Sequence, residues 1–210
     1  MPTGQRYGGR TAEERRAERR TRLLDAGLEL FGTRGYQATS IEALCAATRL
    51  NPRYFYESFA TREALLKAVY DRHMEHLAET VRAALADAPA EPRAVCEIGL
   101  RAFVETQLAD DRAARITYLE IVGVSLDLER HRRTVLRSFA AMIATGADQL
   151  SAAGRLPPGD HTLTALALGG AVDGLLTDCF TNDDPPPTDT IISTLVDLFV
   201  AAFTADQGTD

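Results

Sequence analysis

The sequence predicts an all-α fold, and three observations carry that reading. Apolar residues recur at spacings of three and four along most of the chain. Helix-starting signals stand ahead of those stretches, and no segment shows convincing two-residue alternation. About nine helices are expected in 210 residues, enough for a small unit joined to a larger one.

Residues 1–10 (MPTGQRYGGR) hold three glycines and two arginines and read as a disordered or flexible arm. Thr11-Ala-Glu-Glu14 has the spacing of a capping box and opens the first helix. Its Leu23, Leu24, Ala26, Gly27, Leu30 and Phe31 make one buried stripe, and Gly32 and Gly35 bracket its end. A second capping box, Thr39-Ser-Ile-Glu42, opens a short helix with Ile41, Leu44 and Cys45 on one face. Asn51-Pro52 then pairs a capping side chain with proline at the first helical position. So two helices of about eight and seven residues flank a tight turn at Thr48 to Leu50. Thr61 caps a fourth helix whose inner face is Leu65, Leu66, Val69, Tyr70 and Met74.

Pro89 and Pro92 mark a boundary. Helices are expected over about 92–109, 111–122 and 126–153, where Gly154-Arg-Leu-Pro-Pro-Gly159 stops the third. Another runs over about 160–180, and a loop from Thr181 to Pro187 precedes a last one over about 188–204.

Composition excludes several classes. No run approaches the roughly 18 uninterrupted apolar residues of a membrane span, and Met1 to Arg20 contain no apolar signal region. A cytoplasmic protein with no membrane partner is expected. Cys45, Cys96 and Cys179 are far apart and read as buried apolar residues. His73 and His76 stand at i, i+3 with only nearby acids to complete a site, so neither metal nor other cofactor is expected. Without a paired nucleophile and base, a glycine-rich phosphate loop or an HExxH spacing, the chain does not read as an enzyme.

The net charge is −7, but its distribution is uneven. Residues 1–70 carry 12 basic and 8 acidic residues, a net of +4, whereas residues 71–210 carry 11 and 22, a net of −11. Such asymmetry suits a nucleic-acid-binding segment joined to an acidic partner domain.

Two short helices joined by a three-residue turn are what a helix-turn-helix requires: the first braces the phosphate backbone and the second enters the major groove. Helix N-termini offer free N–H groups to phosphate, and Thr39, Ser40 and Asn51 sit at such ends. Arg53 has the reach for a guanine edge or a phosphate. Phe55 and Phe59 are four apart and face inward, so Tyr54 and Tyr56 cannot both join them. Arg15, Arg16, Arg19, Arg20 and Arg22 read equally as phosphate-neutralising or as a solvated face paired with Glu13, Glu14 and Glu18. Arg6 and Arg10 are the better candidates for minor-groove insertion.

Ser40 to Phe59, SIEALCAATRLNPRYFYESF, resembles the helix-turn-helix of the TetR family of regulators, with flanks LFGTRGYQATS and ATREALLKAVYD; the likeness covers Leu23 to Tyr70. Tyr56-Glu-Ser-Phe59 matches that family's Y-x-H-F signature, with Ser58 in place of histidine. Arg49 stands where the family's turn usually has glycine, which costs on the order of 1 kcal/mol if the residue is left-handed. The resemblance implies phosphate contacts from Tyr56 and from Thr39 or Ser40. It implies base approach by Arg53 and Tyr54, and backbone bracing by Arg62 or Lys67.

It further implies a domain division: residues 1–70 as the DNA-binding helix-turn-helix domain with its arm (motif 40–59), and residues 71–210 as a ligand-binding and dimerisation bundle. The implied function is a one-component, effector-responsive regulator, most simply a repressor. It would bind a palindromic double-stranded DNA operator as a homodimer and be released by an unknown small molecule. Phe103, Thr106, Gln107, Tyr118, Leu119, Val122, Phe139, Met142 and Ile143 are candidate pocket residues, each also readable as plain core; Glu105, Glu120 and Asp173 are candidates for selecting a cation. An apolar stripe with small residues (Leu163, Leu166, Ala167, Gly170, Gly174, Leu175) and the last helix (Ile191, Ile192, Leu195, Val196, Phe199, Phe203) suit a four-helix dimer interface. Two alternatives stay open: an all-helical small-molecule-binding protein or enzyme without DNA function, and an interaction module whose DNA function has decayed.

Overall fold

A computed structural model describes residues 11–204 of the chain; the expected arm with Arg6 and Arg10 lies outside the described residues. Among the described residues the structure is all-α, with nine α-helices and one π-helical turn. The helices are α1 (Ala12–Arg34), α2 (Ile41–Thr48), α3 (Pro52–Ser58), α4 (Arg62–Leu85) and α5 (Pro92–Leu108). They continue with α6 (Asp111–Arg115), the π turn (Ile116–Glu120), α7 (Leu126–Ala152), α8 (Thr162–Thr181) and α9 (Thr188–Thr204).

The capping signals act as read at Thr11, where both halves of the capping box form with Glu14. They act one residue later than read at α2. Ser40, not Thr39, accepts the Ala43 N–H at 3.2 Å. Thr39 is buried, and its hydroxyl donates to the Gly35 and Leu30 carbonyls at 2.8 and 3.2 Å. The helix expected over 111–122 divides at Ile116, where the ladder widens so that Ile121 N–H reaches the Ile116 carbonyl at 3.1 Å.

Helix α1 is the spine of the N-terminal part. Gly27 lets it close on α4, because a Cβ there would sit 2.9 Å from Val69. Gly32 lets it close on α6, because a Cβ there would lie 2.4 to 2.8 Å from Arg112 atoms. Leu23, Phe31, Leu44, Phe55, Leu65 and Leu66 fill the space between α1, α2, α3 and α4. A second apolar cluster around Val104, Ala114, Leu176, Ile192 and Leu195 joins α5 and α6 to α8 and α9. Helix α4 runs without a break through residue 70, carrying Met74, Leu77 and Val81 onward from the first cluster.

The last two helices differ from expectation in how they face. Ile192, Leu195 and Phe199, expected at a subunit interface, are buried within the chain, because α9 turns its continuous apolar face onto α5 and α8. On α8, Leu163 and Leu166 remain 75% and 43% exposed, with Gly170 and Gly174 on the same open face. Helix α8 is the one helix among the described residues long and apolar enough to cross a membrane by composition, yet only 28% of that window is buried.

Candidate nucleic-acid interface and ligand cavity

Helices α2 and α3 form the expected helix-turn-helix. Arg49 is left-handed (φ 53°, ψ 37°), its N–H reaches the Ala46 carbonyl, and Leu50 N–H reaches that of Cys45. This is a Schellman closure made without glycine. Asn51 then caps α3, its Oδ1 accepting the Arg53 N–H at 2.9 Å, with Pro52 at the first helical position.

Two rings anchor α3: Phe55 and Phe59 are buried, with centroids 6.2 Å apart. The opposite face stays open. Asn51 and Arg53 are exposed, as are Tyr56 at 58% and Tyr54 at 39%. Arg53 Nε bonds Glu57 Oε1 at 3.1 Å, an exposed i,i+4 pair that DNA can displace at little cost. Ser40 is exposed at the N-terminus of α2, whereas Thr39 has its hydroxyl engaged inside.

Arg62 and Lys67 are half-buried and already held. Arg62 donates to the Thr39 carbonyl at 2.6 Å with its guanidinium 4.2 Å over the Tyr36 ring, and Lys67 bonds Asp71 at 2.6 Å.

The arginines of α1 have a role that sequence reasoning missed. Arg16 and Arg20 donate to the Glu57 and Ser58 carbonyls at 2.9 and 3.0 Å. Arg22 donates to that of Thr48. These are last-turn carbonyls of α3 and α2, which have no partner within their own helices. Arg20 also lies 4.3 Å over Phe59, and Arg19 lies 4.5 Å over the Tyr54 ring. Thus α1 clamps the C-terminal ends of both short helices, leaving their N-termini free. The 16/19/20 spacing on one helix face was the available signal.

In the C-terminal part, α4, α5, α7, α8 and α9 surround a cavity of about 150 Å³. Of the candidate pocket residues, Phe103, Gln107, Tyr118, Phe139, Met142 and Ile143 line it. Val122 does not: it is 46% exposed just past the π turn. Leu119 is exposed too, and Thr106 is not part of the lining. Most of the remaining wall is apolar, with Met74, Val95, Leu136 and Phe203 among it.

Polar groups on the lining come from Tyr70, Gln107, Thr117, Tyr118, Arg132 and Asp173, and Asp173 is near enough to Tyr70 and Tyr118 to act on both phenols. Gln107 Nε2 donates to the Tyr118 hydroxyl at 2.7 Å, and its Oε1 meets His73 Nε2. Arg132 Nη1 bonds Asp173 at 3.2 Å, and its Nε lies 3.5 Å from Glu129. Burial drives the Tyr70 and Tyr118 phenols far above their ordinary range, so both keep their protons. Burial also pushes the lining thiol of Cys96 up to about 11 and holds His73 below its ordinary range. Of the candidate acids, Glu105 pairs with Arg101 on the surface, and Glu120 faces α1 rather than the cavity.

Comparison with known proteins agrees with this geometry. Residues 23–69 match the family model for bacterial regulatory proteins of the tetR family. The HTH-type transcriptional regulator UidR of Escherichia coli K12 is 36% identical over 50 residues, covering 24% of this chain and 26% of UidR. The HTH-type transcriptional repressor ComR of the same strain is 35% identical over 95 residues, 45% of this chain and 40% of ComR. The chain therefore spans well under half the length of either relative. The fold likeness is longer. The transcriptional regulator FadR from Bacillus subtilis, solved in complex with stearoyl-CoA, superposes with a TM-score of 0.77. It is 15% identical, over 87% of this chain and 98% of that one.

Proposed function

We propose, for a chain whose residues 23–69 belong to the tetR family of bacterial regulatory proteins and whose body shares the fold of FadR, that it is a one-component transcriptional repressor. In this reading residues 1–70 bind DNA and residues 71–210 bind a small effector and dimerise. The observation that carries it is the outward face of α3. Asn51, Arg53, Tyr54 and Tyr56 are exposed together on a helix whose other face and C-terminal end are locked to the protein.

Arg53 and Tyr54 approach base edges, while Tyr56 and Ser40, the latter at the exposed start of α2, take phosphates. Thr39 and Arg62 act behind that surface by tying the α1–α2 connection to α1 and α4, while Lys67, 42% exposed and paired only within α4 to Asp71, braces the DNA backbone. Dimerisation uses the open apolar face of α8, with Leu163, Leu166, Gly170 and Gly174, together with the outer face of α9 at Leu198. Two copies then present α3 twice to half-sites about one helical turn apart. A ligand in the apolar cavity favours a dimer spacing that no longer fits the operator. A protein working on chromosomal DNA acts in the cytoplasm.

The test is selection of an operator from genomic DNA, followed by gel shifts with Arg53→Ala and Tyr56→Phe. Arg53→Ala is expected to weaken the complex by about 1–3 kcal/mol, and either to relax specificity at one base pair or to lower the salt slope. Tyr56→Phe should weaken all sites about equally. Unchanged affinity and salt slope in both variants would count against the assignment.

A further inference from the structure

We propose that the effector is an uncharged, largely hydrocarbon molecule bearing one hydrogen-bonding group, such as an alcohol or ketone, seated at the Tyr118–Gln107–Arg132 end of the cavity. This rests on the effector reading above and adds the ligand's chemical class.

Most of the cavity wall is hydrocarbon, so most of the ligand must be too. The polar end decides the rest. Its one lining cation among the described residues, Arg132, is shared by two carboxylates, Asp173 at 3.2 Å and Glu129 at 3.5 Å. A ligand carboxylate would be a third anion on one guanidinium, buried without a partner of its own. A ligand cation fares no better, because at the lining carboxylate of Asp173 it would stand against the Arg132 guanidinium, 3.2 Å away, cation beside cation. Nearby His73 adds no charge, since burial favours its neutral form.

Hydrogen-bonding capacity, by contrast, is left over. The Tyr118 hydroxyl accepts from Gln107, which leaves its own proton to donate. One leftover donor beside a hydrocarbon wall matches one neutral oxygen at the end of an alkyl chain.

The test measures binding of 1-decanol, 2-decanone, decanoate, decylamine and decanoyl-CoA to the full chain at neutral pH by calorimetry. A parallel gel shift follows operator release in the same samples. The alcohol and ketone are expected to bind at least about tenfold tighter than the acid, the amine and the CoA thioester, and to release operator. Asp173→Asn removes one of the two carboxylate charges on the guanidinium, leaving Glu129 to balance it. A ligand carboxylate then becomes the second anion rather than the third, so the decanol-to-decanoate ratio should fall at least about tenfold. Should that variant not fold, Tyr118→Phe serves instead and should weaken decanol by about fivefold to tenfold. Equal or tighter binding of decanoate or decanoyl-CoA, a ratio unmoved by Asp173→Asn, or no binding by any of the five overturns the proposal. Operator binding that persists through such a failure leaves the regulator reading standing; its absence from the outset sinks that reading instead.

Discussion

Glu120 accepts the backbone N–H of Tyr36 through Oε2 at 2.7 Å, while its Oε1 takes the Arg115 guanidinium at 2.9 Å. The π turn that ends at Glu120 also carries Thr117 and Tyr118, which line the cavity. One five-residue turn therefore touches both the ligand space and the connection between α1 and α2. Glu120→Ala should leave the buried Tyr36 N–H unsatisfied and cost about 1–3 kcal/mol in urea unfolding. It should also reduce operator release by a saturating effector more than it reduces operator binding itself. Release that stays at the wild-type level would remove this turn from the coupling route.

Arg49 closes the helix-turn-helix in a left-handed conformation that favours glycine. Its side chain is exposed and carries none of the core packing. Arg49→Gly should raise unfolding stability by up to about 1 kcal/mol, because the steric penalty disappears and only part is returned as unfolded-chain entropy. Chemical denaturation decides the matter. A loss of stability would mean that the arginine makes a compensating contact.

Much of this structure was legible in advance, for a physical reason. Capping and proline signals are local, so Thr11 with Glu14, Asn51 with Pro52, and Thr61 placed the starts of α1, α3 and α4. Where two neighbours had equal local chemistry, as at Thr39 and Ser40, only the packing of α1 decided which one turned inward. Periodicity identified the apolar face of α9 but not its partner, and that face proved to cover α5 and α8. Tertiary partners also explain the arginines of α1, which are long enough to reach carbonyls about forty residues onward. The cavity required the same information: Arg132 meets Asp173 across 41 positions of sequence.

Two glycines should respond oppositely to alanine. At Gly32 a Cβ would lie 2.4 Å from Arg112 Cβ and 2.6 Å from its Cα, where backbone cannot easily give way. Gly32→Ala should therefore separate α1 from α6 and destabilise by about 1–3 kcal/mol or more. At Gly146, on α7 beside the cavity, a Cβ meets nothing within 4 Å. Gly146→Ala should stabilise by up to about 1 kcal/mol through helix propensity. Thermal unfolding of the two variants gives both signs in one experiment.

His73 makes stability depend on acid. Burial lowers its pKa below the ordinary value of 6.5, an effect that the Gln107 hydrogen bond opposes. Below pH 6.5 the unfolded chain takes up the proton before the folded one does, so stability falls as pH drops toward the folded-state pKa. His73→Gln lacks the titrating ring and should flatten that limb, while wild type and variant keep parallel profiles above neutrality. Equal acid slopes in the two proteins would assign the effect to other groups.

Leu163 and Leu166 carry the last prediction. They lie on a helix as apolar as a membrane span, yet less than a third of its apolar window is covered in one copy of the chain. Exposed leucines beside Gly170 and Gly174 permit close approach of a second copy, and the hydrophobic gain grows with the area removed from water. Leu166→Glu places a charge in that contact, where it would be buried without a partner on formation of the dimer. The variant should sediment as a monomer with an unchanged helical spectrum, since Leu166 contributes little to the interior of its own chain. Operator affinity should fall with it, because a single α3 reads only one half-site. A variant that remains dimeric would move the interface off this face of α8, and one that binds operator normally as a monomer would separate dimerisation from DNA recognition.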